Sequence, residues 1–116
     1  MDFEISFYES VDGHCPVADF LRELKQSDPK DHAAVLAGLL KLKQRQLHRP
    51  PLTKPLGDGL FELRHLGNLN SRVLWFFMVG RRIVAVHGIR HKAQAIPEQD
   101  LRVARLRRQD WLRRNK

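Results

Sequence analysis

Between Leu60 and Ile89 three β-prone runs follow one another: LFELRHL (60–66), SRVLWFFMV (71–79) and RIVAVHGI (82–89). Only short turns, at Gly67-Asn68 and Gly80-Arg81, separate them. Strands joined so closely must pair antiparallel, because a parallel pair needs a crossover of a dozen or more residues. Side chains alternate along a strand, so Phe61 and Leu63 take one face and Glu62 and Arg64 the other. Charges usually collect in solvated loops. Here Glu62, Arg64 and Arg72 sit within or at the edge of strands, where a sheet holds them rigidly. In a chain of net charge +8, fixed cations on a sheet suggest a surface built to receive phosphates.

The flanking sequence supplies a further strand and three helices. Residues 2–8 alternate, with Phe3, Ile5 and Phe7 against Asp2, Glu4 and Ser6, as a half-buried strand does. Val17, Phe20, Leu21 and Leu24 form one helical stripe. Asp28-Pro29 reads as an N-cap followed by proline in the first turn, predicting a second helix to about Leu47. Arg49-Pro50-Pro51 stops that helix, and Gly57-Asp58-Gly59 turns the chain into the sheet. A last helix starts near Pro97, with Leu101, Ala104, Trp111 and Leu112 facing inward and Val103 and Leu106 off that stripe. The expected order is β-α-α-β-β-β-α. This is an α+β fold whose antiparallel-rich sheet has its helices packed on one face.

At 116 residues, one core and one domain spanning 1–116 are expected. The single cysteine, Cys15, leaves no internal disulfide and fits a reducing cytoplasm. The N-terminus has no basic-then-apolar leader pattern, and the apolar run Val73–Val79 is too short to span a membrane. No membrane association, metal or cofactor is expected. A pI of about 10.4 points instead to a polyanionic partner.

Three strings in this order, KPLGDGLFELR (54–64), SRVLWFF (71–77) and RRIVAVHGIRHKAQAIP (81–97), resemble the RelE/HigB superfamily of type II toxins. The likeness is strongest to its phage-derived-protein, HigB-like branch, and covers roughly residues 54 to 105. The branch's lysine pair stands here as His91-Lys92, and its next lysine as Ala95. The resemblance implies a RelE-like fold and a ribosome-dependent endoribonuclease that cleaves mRNA. It also implies a cytoplasmic complex with a helix-turn-helix, HigA-like antitoxin, with the ribosome and mRNA as further partners.

RNA can be cut without metal, because its 2′-hydroxyl can attack the adjacent phosphate. The protein must then position the phosphate, neutralise its growing charge and move protons. Arg64 and Arg72 suit the neutralising role, since a guanidinium fork matches phosphate oxygens and stays charged. His91 is the candidate proton carrier, Lys92 and Lys54 are backbone clamps, and Glu62 is either a base or a holder of Arg64. Arg90, Arg81 and Arg82 are further RNA contacts, and Val103 with Leu106 is the candidate antitoxin contact. Plainer readings stand beside these: a cross-strand charge pair for Glu62 and Arg64, an edge-protecting charge for Arg72, and a satisfied core histidine for His87. Two alternatives share the scaffold: a ParE-like poison of DNA gyrase, and an RNA- or ribosome-binding module without catalysis.

Overall fold

A computed structural model describes residues 2–64, 71–90 and 95–115. Its elements are β1 (Glu4–Phe7), α1 (Pro16–Ser27), α2 (Pro29–Lys41), β2 (Thr53–Gly57), β3 (Leu60–Arg64), β4 (Arg72–Met78), β5 (Arg82–Ile89) and α3 (Glu98–Arg114). The five strands form one sheet in the order β1-β5-β4-β3-β2. β1 runs parallel to β5, while the β2–β3, β3–β4 and β4–β5 pairs are antiparallel. The fold is therefore α+β with a mixed five-stranded sheet and three helices.

Local chemistry explains the helix limits. The Asp28 carboxylate accepts from the Asp31 N–H at 3.1 Å, and Pro29 occupies the first turn of α2, so two orphaned donor positions are settled at once. α2 ends at Lys41, earlier than expected. There the Leu42 N–H is shared between the Gly38 and Leu39 carbonyls, and Lys43 bonds Leu40. The last turn tightens into 3₁₀ geometry, and a separate 3₁₀ turn covers Arg45–Leu47.

Helices cover both faces of the sheet, which corrects the one-faced packing expected. α1 and α2 bury Val17, Leu21, Leu24, Val35 and Leu39 against Leu63, Val73, Trp75, Ile83 and Ala85. α3 lies on the opposite side, where Leu101, Ala104, Trp111 and Leu112 meet Leu60, Leu74, Phe76, Val84 and Val86. The unbroken apolar run in β4 is the signature of a strand buried on both faces. Strand β2 was also not anticipated. It carries Lys54-Pro55 and lies at the sheet edge, where a missing proline N–H is tolerated.

The β4–β5 register slips between Leu74 and Trp75, so that Trp75 opposes Ala85 and Leu74 opposes His87. This bulge places His87 on the α3 side, away from Ile83 and Ala85 with which simple alternation grouped it. Next to it, Gly88 lies under the Phe20 ring of α1, and a Cβ built there would come 2.3 Å from that ring. Glycine permits this close approach of helix and sheet.

Polar contacts seat α3. The Tyr8 hydroxyl donates to Asp110 Oδ2 at 2.7 Å, and Arg114 donates to the same carboxylate. Arg107 Nη1 donates to His87 Nδ1 at 2.9 Å, while His87 Nε2 is 2.7 Å from Asp100 Oδ1. Arginine cannot accept, so Nδ1 is the acceptor and Nε2 carries the proton donated to Asp100. His87 is thus a satisfied histidine beneath α3. No described helix is long and apolar enough to cross a membrane.

Candidate functional site

Register brings four of the sequence-selected residues together. Arg64 pairs directly opposite Arg72 across β3–β4, and Lys54 opposite Glu62 across β2–β3. All four project from the sheet face on which α3 packs. Glu62 Oε1 is 3.3 Å from Arg72 Nε and 3.6 Å from Arg64 Nε, while Oε2 is 3.9 Å from Lys54 Nζ. Glu62 and Arg72 are 2% and 4% exposed. The Arg64 and Lys54 side chains are 42% and 45% exposed. The carboxylate and one guanidinium form a buried base, with two cations above them facing solvent.

Two like charges placed directly across a strand pair repel each other. Glu62 compensates, and three cations against one carboxylate leave a surplus of two positive charges. Both Glu62 oxygens already face cations, so its geometry is that of a holder for the arginines. Arg72 is held further by its strand, whose start is fastened to α2: the neighbouring Ser71 Oγ donates to buried Asp31 at 3.2 Å. The sequence reading missed Asp31 and Ser71. The N-cap pattern around Asp28 placed Asp31 in a helix start but carried no sign of its long-range partner.

The other selected residues are distributed differently. Arg90 follows β5 at the same sheet end as Arg72, since Ile89 pairs with Arg72, and donates to Ser27 Oγ at 2.7 Å. His91 and Lys92 lie outside the described residues. Arg81 and Arg82 stand at the opposite end, where Arg82 pairs with Met78. At about 3.3 Å per residue this is roughly 20 Å from Arg72, so they do not join the Glu62 cluster. Arg81 instead lies over the Phe3 ring, 5.9 Å from its centroid. Val103 is half-buried and Leu106 is 58% exposed on α3. Among the described residues, no three His, Cys, Asp or Glu side chains converge to hold a metal ion.

Titration is perturbed beneath α3. Burial, then the hydrogen bond and charge of Asp110, push the Tyr8 hydroxyl above its ordinary value. Hydrogen bonds from Arg114 and Tyr8 hold Asp110 well below the usual carboxylate range. Burial lowers the Arg107 guanidinium.

The fold is α+β, and one sheet end carries the buried Glu62–Arg72 pair with Arg64 and Lys54 beside it. The family profile of Gp49-like phage-derived proteins matches residues 22–109. The chain therefore belongs to that family, one of RelE/HigB-like toxins. The match runs from α1 into α3 and includes every member of the Glu62 cluster. Comparison with curated proteins gives no match.

Proposed function

We propose that this protein is the toxin of a type II toxin–antitoxin pair and an mRNA endoribonuclease acting on translating ribosomes. The observation that carries this reading is the opposition of Arg64 and Arg72 across β3–β4 around the buried Glu62. A rigid pair of guanidinium groups with surplus positive charge matches a scissile phosphate whose non-bridging oxygens gain charge as the 2′-oxygen attacks. In that step the 2′-oxygen loses its proton and bonds to phosphorus. The 5′-oxygen of the next nucleotide leaves and takes up a proton, giving a 2′,3′-cyclic phosphate and a 5′-hydroxyl. Arg64 contacts the phosphate, Arg72 backs it, Lys54 and Lys92 clamp neighbouring phosphates, and His91 moves a proton. Glu62 orients the arginines. The partner that silences the toxin is a helix-turn-helix antitoxin encoded beside it.

The test is cleavage of mRNA on a programmed ribosome, with a second message carrying one 2′-deoxy nucleotide at the cut site. The ordinary message should be cut to leave a 2′,3′-cyclic phosphate and a 5′-hydroxyl, and the deoxy message should resist. Equal cutting of both overturns the mechanism. Intact mRNA with stalled supercoiling by DNA gyrase would move the protein to the gyrase-poison class.

A further inference from the structure

On the opposite side of the molecule, β1 is an edge strand, with no strand on its outer side among the described residues. The Glu4 N–H donates to Arg81 O at 2.9 Å and the Tyr8 N–H to Ala85 O at 2.8 Å. Backbone direction alternates along a strand, so Glu4, Ser6 and Tyr8 spend their donors on β5. The N–H and C=O groups of Ile5 and Phe7 point outward, where the sheet ends. The same edge is already used one step earlier. The Phe3 N–H, which points outward too, donates to the Lys43 carbonyl after α2 at 2.8 Å.

An apolar groove runs along this edge. Ile5 and Phe7 form one wall, and Leu36, Leu39, Leu40 and Lys43 form the other. Leu36 and Leu40 are 39% and 61% exposed, although α2 already buries Val35 and Leu39 on its inner side. Proteins usually blunt an open edge with charge, proline or a covering segment. Here the outward backbone groups of Ile5 and Phe7 lie beside the exposed Leu36 and Leu40.

We propose that β1 is a docking edge for an extended segment of a partner protein, which adds to the sheet as a sixth strand. Its backbone pairs with Ile5 and Phe7, and alternate apolar side chains enter the groove against Leu36 and Leu40. The remaining side chains are acidic. They fall on the face of Glu4, Ser6 and Tyr8, where Arg82 pairs beside Glu4 and Arg107 and Arg114 lie over the Tyr8 ring, so carboxylates find partners there. The net charge of +8 opposes a second copy of this chain as the occupant. The surface is independent of the activity of the Glu62 cluster.

The test follows backbone amide exchange by NMR in the full-length protein with short capped peptides as probes. One peptide alternates valine and glutamate; a second has the same composition in two blocks; a third alternates valine and lysine. The first should slow exchange at the Ile5 and Phe7 amides by about tenfold or more, while the other two leave it unchanged. Leu40→Lys, at an exposed position, should keep the wild-type melt and abolish the effect. No protection by the valine–glutamate peptide overturns the proposal, as does equal protection by the lysine peptide or an undiminished response in Leu40→Lys. Protection that grows with protein concentration alone would assign the edge to self-association and overturn it too.

Discussion

Arg64 and Arg72 face each other across β3–β4, and one oxygen of Glu62 lies within 3.6 Å of the Nε atoms of both. Their burial is unequal, which separates two effects that substitution would otherwise mix. Arg64→Ala removes an exposed cation whose ion pair contributes less than about 1 kcal/mol to stability. Its melting temperature should stay within a few degrees of wild type. If Arg64 meets the phosphate in the transition state, cleavage should fall by about a hundredfold or more. Single-turnover cleavage on loaded ribosomes measures this, and a rate within a few-fold of wild type would return Arg64 to a structural charge pair.

Glu62→Gln keeps shape and removes the charge that reconciles three cations. Leaving Arg72 buried beside a neutral amide should cost about 2 kcal/mol or more, a fall of several degrees in the melt. Cleavage should also weaken. Because Glu62 holds the arginines and does not take the 2′-hydroxyl proton, the shape of the pH–rate profile should survive the substitution. Loss of its acidic limb would make Glu62 the base.

Strands β3 and β4 were legible from their β-prone composition, and the faces of β3 from its alternation as well. The Leu60–Arg64 face assignment, with Glu62 and Arg64 together, holds in the structure. Other features were hidden for physical reasons. The inward stripe of Leu101, Ala104, Trp111 and Leu112 reads identically whichever sheet face it covers. The one clue was the unbroken run Val73–Phe76, which a sheet apolar on one face alone would not need. Strand β2 was masked by Lys54-Pro55, residues poor in β-propensity that only an edge accommodates. Arg81 and Arg82 were grouped with the site by charge, but hairpin geometry sends them to the far end. The bulge that turns His87 under α3 leaves no mark on alternation.

Gly88→Ala tests the contact between α1 and the sheet. A methyl at 2.3 Å from the Phe20 ring forces the ring or α1 to move, and overpacking of this kind costs about 1–3 kcal/mol. A lower denaturant midpoint with an unchanged slope is expected. An unshifted midpoint would mean that Phe20 swings aside freely.

Tyr8 gives a pH prediction. Its folded-state pKa is raised, by burial first and then by Asp110, so the folded protein favours the protonated phenol. The corresponding stability is fully present below the ordinary value near 10 and is lost as pH rises through the folded value. Thermal melts should show wild type losing stability above about pH 10 faster than Tyr8→Phe, which carries no proton there. Parallel loss in both proteins would detach Tyr8 from alkaline unfolding.

The exposed face of α3 is the candidate antitoxin contact. Leu106 is 58% exposed and Val103 half-buried on α3, among arginines at 102, 105 and 107. An apolar step within a basic rim suits an acidic amphipathic segment, which would bury the side chains and pair with the rim. Val103→Asp with Leu106→Asp replaces hydrophobic contact with carboxylates that repel such a segment. Affinity for a cognate antitoxin that docks here should fall by about tenfold or more, read by calorimetry with the purified pair. Leu106→Asp alone serves as the folding control, because its side chain is exposed and its melt should match wild type. If that single variant folds normally and the double variant binds with wild-type affinity, the antitoxin docks elsewhere.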